Sequence, residues 1–225
     1  MKELYNKLKK YSVSDSIKIE ESDRQYIALK KLADNIDDKE FYLWLILANS
    51  IICYQLSWKW EDYWEEFSDY FIVNSVTKES LSKELWNFIK QSKNNKRFID
   101  TKIKRLIKVE AFLDIFLWNE ELYYNDMEKL RFDLAKTMKQ KKDAKTIVFA
   151  VKMFSYWARN IYNKLNYFPK SINVPVDSRL IALYDKYKWE YEDIDLFYSD
   201  LSEKLDIPEL HLDAIVWVNY DSLIK

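Results

Sequence analysis

Apolar residues recur every three to four positions through most of this chain, the period of an amphipathic helix. Over residues 22–35, Tyr26, Leu29 and Leu32 form one stripe and Ser22 or Asp23 supplies the N-cap, so a helix is predicted there. Residues 39–58 are hydrophobic almost all round, as a central helix is, and the polar residues at their end, Gln55 and Ser57, are candidates to face a cavity. Residues 60–72 repeat Trp60, Tyr63, Trp64 and Phe67 at helical spacing, and 79–91 continue with Leu81, Leu85, Phe88 and Ile89. Two more helices are predicted over 108–119 and 121–138. A short polar turn, QKKDA at 140–144, then leads into a strongly apolar helix that runs from Lys145 to about Asn163. An extended connection around Pro169 and Pro175 follows, then a helix over 177–187, an acidic helical segment over 189–205 and a last helix opened by Pro208. The pattern predicts an all-α protein in two helical halves with a cleft between them.

Composition sharpens this. There is no glycine and there are only three prolines, so hairpins and glycine-rich phosphate loops, which need residues at positive φ, are disfavoured. The 225 residues suit one large helical domain or two small interleaved ones. Cys53 is the only cysteine and His211 the only histidine, which removes disulfides, thiolate clusters and most zinc or Ser-His-Asp chemistry. Both are expected to be structural. A net charge of −1 argues against an overall basic coat but leaves room for a basic face. No apolar run is long enough to cross a membrane, so a cytoplasmic protein is expected; it is further expected to be a monomer and to need no metal or organic cofactor.

The stretch over 145–179 carries the candidate chemistry. Lys145 begins a helix and is followed by Thr146, Ile147, Val148, Phe149, Ala150 and Val151. Desolvation and the positive end of the helix dipole both favour a neutral, nucleophilic amine in such a place. At the far end, PVDSR puts Asp177 at a helix N-cap. A carboxylate brought beside a lysine can take its proton or stabilise a developing cation. Taken singly, lysines at helix starts are usually solvated and aspartates at N-caps are usually only caps. Lys145 and Phe149, like Asp213 and Trp217, are four apart and share a helix face. Two such faces can wall a slot for a planar base, although most of the nine tryptophans are expected to be core.

KTIVFAVKM at 145–153, followed by VPVDSR at 174–179, closely resembles the archaeal GO glycosylases (AGOG), 8-oxoguanine DNA glycosylases with lyase activity in the helix-hairpin-helix superfamily. The likeness extends more loosely over 22–64 and 207–220. It implies a single glycosylase unit over 1–225, with a helix-hairpin-helix region at about 125–187 and with the N- and C-terminal helices completing the base pocket. It implies a Schiff-base lysine at Lys145, a catalytic aspartate at Asp177, and base contacts from Gln25, Phe149, Pro175, Asp213 and Trp217, with Trp64 as a further pocket residue; Ser57, the polar candidate at the end of 39–58, is expected to join them. It also implies a DNA partner containing 8-oxoguanine, single- or double-stranded. The chain departs from the superfamily's hairpin in lacking glycines there, and Trp58 and Trp60 flank Lys59 where glycines are expected.

The basic turn Lys139, Lys141 and Lys142 lies beside Lys145 and is the favoured phosphate contact. The basic run over 90–108 is more simply a solvated helix face. The acidic segments at 61–66 and 190–206 are expected to face outward. Two other readings stay open: a non-catalytic helical DNA-binding or scaffold protein, and a glycosylase of the same superfamily with another lesion preference.

Overall fold

The computed structural model describes residues 1–189 and 191–225, among which there are fourteen α-helices and no strand. They fall into two compact units, Asp23–Asn166 and a second that joins Met1–Ser22 to Tyr167–Lys225. The second unit begins with α1 (Lys2–Leu8) and α2 (Val13–Ser22). The central unit holds α3 (Arg24–Asp34), α4 (Phe41–Ile52), α5 (Trp60–Val73), α6 (Leu81–Gln91), α7 (Ile99–Glu110), α8 (Leu113–Phe116), α9 (Glu120–Asn125), α10 (Met127–Met138) and α11 (Lys145–Tyr162). The terminal unit resumes with α12 (Ser178–Tyr187), α13 (Ile194–Leu205) and α14 (Glu209–Leu223).

In the central unit α4 is buried from Tyr42 to Ile52 and packs on α6, α7 and α11. That is where a helix apolar on every side belongs. α11 packs in turn on α3, α4 and α10. Tyr26, Leu29 and Leu32 of α3 are all buried, as their stripe predicts. Asp23 is the cap, its carboxylate accepting the Gln25 N–H at 3.0 Å.

Three boundaries differ from the pattern. α4 stops at Ile52, because Cys53 leaves helical geometry and Gln55 turns left-handed at φ 50°. Gln55 and Ser57 therefore sit on a loop and not on a helix. The segment 121–138 is two helices, since Asp126 breaks it and caps α10 by accepting the Lys129 N–H at 2.9 Å. The predicted helix over 108–119 is instead the end of α7 and the short α8, and the later half of the basic run, Lys102, Lys104, Arg105 and Lys108, lies within α7. Its face is not simply solvated. Lys102 is fully buried and donates to Asn95, whose amide donates to the Tyr63 hydroxyl at 3.1 Å.

The absence of glycine does not abolish left-handed backbone. Lys139, Asn163 and Asp206 close α10, α11 and α13 at φ 53°, 47° and 53°. Each carries a β-carbon where glycine is favoured, at a cost of about 1 kcal/mol.

In the terminal unit α14 packs on α2, α12 and α13, and α1 packs on α12 and α13. The extended connection before Asp177 has no strand partner, so side chains of α14 serve its backbone. Glu209 accepts the Val174 N–H at 2.8 Å. His211 Nε2 accepts the Phe168 N–H at 3.2 Å, while its Nδ1 bonds to Glu20 at 2.7 Å. The lone histidine is thus a buried structural group. Of the described acidic residues of the later acidic segment, Glu192, Asp193, Asp195, Glu203 and Asp206 are exposed, whereas Asp200 is half-buried and accepts from the Tyr191 hydroxyl at 2.7 Å; Glu190 lies outside the described residues. The earlier acidic segment is engaged as well as outward. Asp62 and Glu65 bind Arg24 at 2.7 and 2.8 Å, and Glu66 accepts from the Ser92 hydroxyl at 2.8 Å.

Candidate active site

Lys145 is the first residue of α11, and its N-cap Ala144 has no side chain to close the helix end. Its side chain is exposed, so the buried setting expected of the lysine is not its own; the burial falls on Ile147, Val148 and the residues that follow. Lys145, Thr146 and Phe149 form one side of a cavity of about 320 Å³ in the central unit. Tyr54, Gln55, Trp58 and Trp60, from the loop after α4 and the start of α5, form the other, and Cys53 and Leu56 complete the lining. Trp60 meets Phe149 edge to face with centroids 4.9 Å apart. Trp58 is 70% exposed at the same cavity. A primary amine beside several aromatic faces suits a substrate that pairs an electrophilic carbon with a planar ring.

The other expected residues of this unit take different places. Trp64 is fully buried, its ring 6.5 Å from Phe149, so it backs the aromatic wall and does not line the cavity. Ser57 lies on the loop but is not among the lining residues; its backbone N–H donates to Asn94 at 2.8 Å. Gln25 is buried in the first turn of α3 and is also not among them. Lys139, Lys141 and Lys142 are exposed on the turn that precedes Lys145.

Behind the cavity stand two cations that sequence reasoning did not connect to it. Arg105 Nη2 donates to Gln140 Oε1 at 3.1 Å and Thr146 Oγ1 at 2.9 Å, and its Nε donates to the Ile51 carbonyl at 3.1 Å. Lys102 and Arg105 approach the Tyr54 ring at 5.0 and 5.4 Å. Burial lowers the Lys102 ammonium to about 8 and pulls the Arg105 guanidinium down. It drives the Cys53 thiol well up, so Cys53 is an inert wall.

In the terminal unit Asp177 is the N-cap of α12, accepting the N–H groups of Arg179 and Leu180 at 2.9 and 3.0 Å. Pro175 is buried two residues earlier, next to the backbone that Glu209 holds. Asp213 is buried on α14, and Trp217 is half-buried one turn later. Tyr198 is pushed up by burial and further by the carboxylates of Asp177 and Asp213, which brings these two acids to one neighbourhood. The Arg179 guanidinium carbon lies 3.7 Å from the Trp217 ring centroid, and its Nη1 donates to the Trp217 carbonyl at 3.3 Å. Arg179 stands within PVDSR, two residues after the aspartate, and that position was the available sign of it.

The fold is that of a known DNA glycosylase. The chain matches the crystal structure of 8-oxoguanosine-complexed Pa-AGOG, the 8-oxoguanine DNA glycosylase from Pyrobaculum aerophilum, with a TM-score of 0.83 at 23% identity, over 98% of this chain and 87% of that one. The model of the AGOG family, N-glycosylase/DNA lyase, matches residues 5–224. The N-glycosylase/DNA lyase of Methanococcus maripaludis is 39% identical over 88% of this chain and 78% of its own length. That of Thermococcus kodakarensis is 40% identical over 88% and 75%. The chain belongs to the AGOG family of N-glycosylase/DNA lyases.

Proposed function

We propose that the chain removes 8-oxoguanine from DNA with Lys145 as nucleophile and then nicks the strand by β-elimination. The observation that carries this is Lys145 at the head of α11, on a cavity whose aromatic residues include Phe149 on the same helix face. The lesion preference is supported by the complex of the Pyrobaculum aerophilum enzyme with 8-oxoguanosine. The damaged nucleotide leaves the stack, because its anomeric carbon is inaccessible inside the duplex. The Lys145 amine attacks C1′, the glycosidic C–N bond breaks, and its electron pair leaves with the base. Asp177 takes the proton shed by the amine and stabilises positive charge on the sugar. The sugar opens to an iminium linked to Lys145, the C2′ proton becomes acidic and is removed, and the C3′–O bond breaks to release the 3′ strand.

Gln25 and Asp213 read the base edge in this proposal, with Phe149 and Trp217 as stacking faces and Pro175, Trp64 and Ser57 shaping the pocket. Lys139, Lys141 and Lys142 take backbone phosphates. Borohydride trapping on DNA with a single 8-oxoguanine is the test. A covalent protein–DNA adduct that disappears in Lys145→Gln is expected. An adduct that persists in that variant would move the nucleophile elsewhere.

A further inference from the structure

Arg105, in the basic run, reaches the turn before Lys145. Its guanidinium joins three segments of the central unit: the end of α4 through the Ile51 carbonyl, the turn through Gln140, and the first turn of α11 through Thr146. Thr146 follows Lys145 directly, and its hydroxyl donates onward to Gln140 at 3.4 Å. The far side of the same turn is held by Arg131, which is fully buried and binds Asp143 at 2.9 Å and Glu128 at 2.7 Å. The two arginines differ in one respect. Arg131 is neutralised by carboxylates, whereas Arg105 donates to uncharged acceptors and forms no ion pair among the described residues. Half-burying a guanidinium without a counter-charge is costly, and a planar fork is suited to fixing several acceptors at once.

We infer that Arg105 is a positioning residue that locks the turn over 140–144 onto the first turn of α11 and so sets where Lys145 stands at its cavity. It touches no reacting atom. The inference deepens the proposed reaction and rests on Lys145 as its nucleophile. A nucleophile must be held within a fraction of an ångström, and a misplacement of about 1 Å can cost about 10²-fold in rate. A lysine in place of Arg105 keeps the charge but not the fork, so charge and geometry can be separated.

The test uses the full chain carrying Arg105→Met, Arg105→Lys or Gln140→Ala. Amide hydrogen exchange over 140–149 is measured with the exchange of α3 and α5 as an internal control for folding. Single-turnover borohydride trapping and the Kd for lesion DNA are measured beside it. Arg105→Met and Arg105→Lys are both expected to speed exchange over 140–149 while sparing α3 and α5. Both should slow trapping by about 10- to 100-fold with Kd within about twofold. Gln140→Ala should shift both readouts in the same direction by less. Unchanged exchange, or an Arg105→Lys protein that traps at the parental rate, overturns the inference. So does a weakened Kd with a flatter salt dependence, which would make Arg105 a phosphate contact. Should the unsubstituted chain fail to trap, the lysine reaction falls, while exchange still decides whether Arg105 holds the turn.

Discussion

The Arg179 guanidinium carbon sits over Trp217, 3.7 Å from the ring centroid, so one face of this indole is already occupied. Only the opposite face is left for a base. The arginine shares PVDSR with Asp177, whose carboxylate caps its N–H. The cap of α12 and the indole of α14 are thus tied through one side chain.

This fixes what Trp217→Ala should do. If the free face stacks on the lesion base, truncation removes about 1–3 kcal/mol of binding. The half-buried indole should cost less stability than the roughly 3–5 kcal/mol of a core aromatic. Melting temperature and excision rate measured together should show a modest drop in the first and a large drop in the second. A protein that melts far lower yet keeps its activity per folded molecule would make Trp217 core. Asp213→Asn should leave the melting temperature nearly unchanged and erode the preference for 8-oxoguanine over guanine.

Asp177→Asn separates capping from catalysis. Asparagine caps about as well as aspartate, so the bonds to the Arg179 and Leu180 N–H groups survive. Stability should hold while excision falls by about 10²–10⁴-fold. Parental excision rates in this variant would reduce Asp177 to a cap.

Lys139 stands at φ 53° without being a glycine, and it is exposed beside the turn. Lys139→Gly should raise stability by about 0.5–1 kcal/mol by relieving that backbone. It should also weaken DNA binding and lower the salt slope by about 1 if the ammonium meets a phosphate. Thermal melts and a salt titration of Kd decide both halves; stability gained with no change in slope would remove Lys139 from the interface.

Lys102 gives a pH signature. Its folded-state ammonium is lowered to about 8 by burial, whereas in the unfolded chain it titrates near the ordinary lysine value of 10.5. Between those values the unfolded state holds the extra proton, so this group's contribution to stability rises with pH from about 8 to about 10.5. The melting-temperature advantage or deficit of Lys102→Met relative to the parent should shift toward the parent across that window. A difference that stays flat would mean that the burial cost of the cation is not felt.

The helices were legible where one face alone had to be buried, as with Tyr26, Leu29 and Leu32 in α3, and where a polar cap met an apolar run, as at Asp177. The end of α4 was not, because the apolar run continues past Ile52 while the left-handed turn at Gln55 carries no glycine to announce it. Asp126 looks like an ordinary helix residue in the sequence, since a cap inside a continuous period leaves little trace. Of the cavity residues, Lys145 and Phe149 could be paired from their spacing alone. Tyr54 and Trp60 could not, and neither could Arg105 behind the cavity, as their roles depend on long-range packing of α4, α5 and α7 around the start of α11. The polar partners of the connection before Asp177, Glu209 and His211, were hidden for the same reason.

In the proposed reaction Lys145 forms the covalent bond to the sugar of an 8-oxoguanosine nucleotide. It is tested most directly by borohydride trapping across a panel of otherwise identical oligonucleotides carrying 8-oxoguanine, guanine, uracil or an abasic site, with the parent and Lys145→Gln side by side. Because Lys145 is exposed, the variant should melt within about 0.5 kcal/mol of the parent and still bind DNA. An adduct is expected on 8-oxoguanine and abasic DNA, little or none on guanine and uracil, and none at all with Lys145→Gln. An adduct that survives Lys145→Gln, or a parent that traps uracil DNA in preference to 8-oxoguanine DNA, would contradict the proposed reaction.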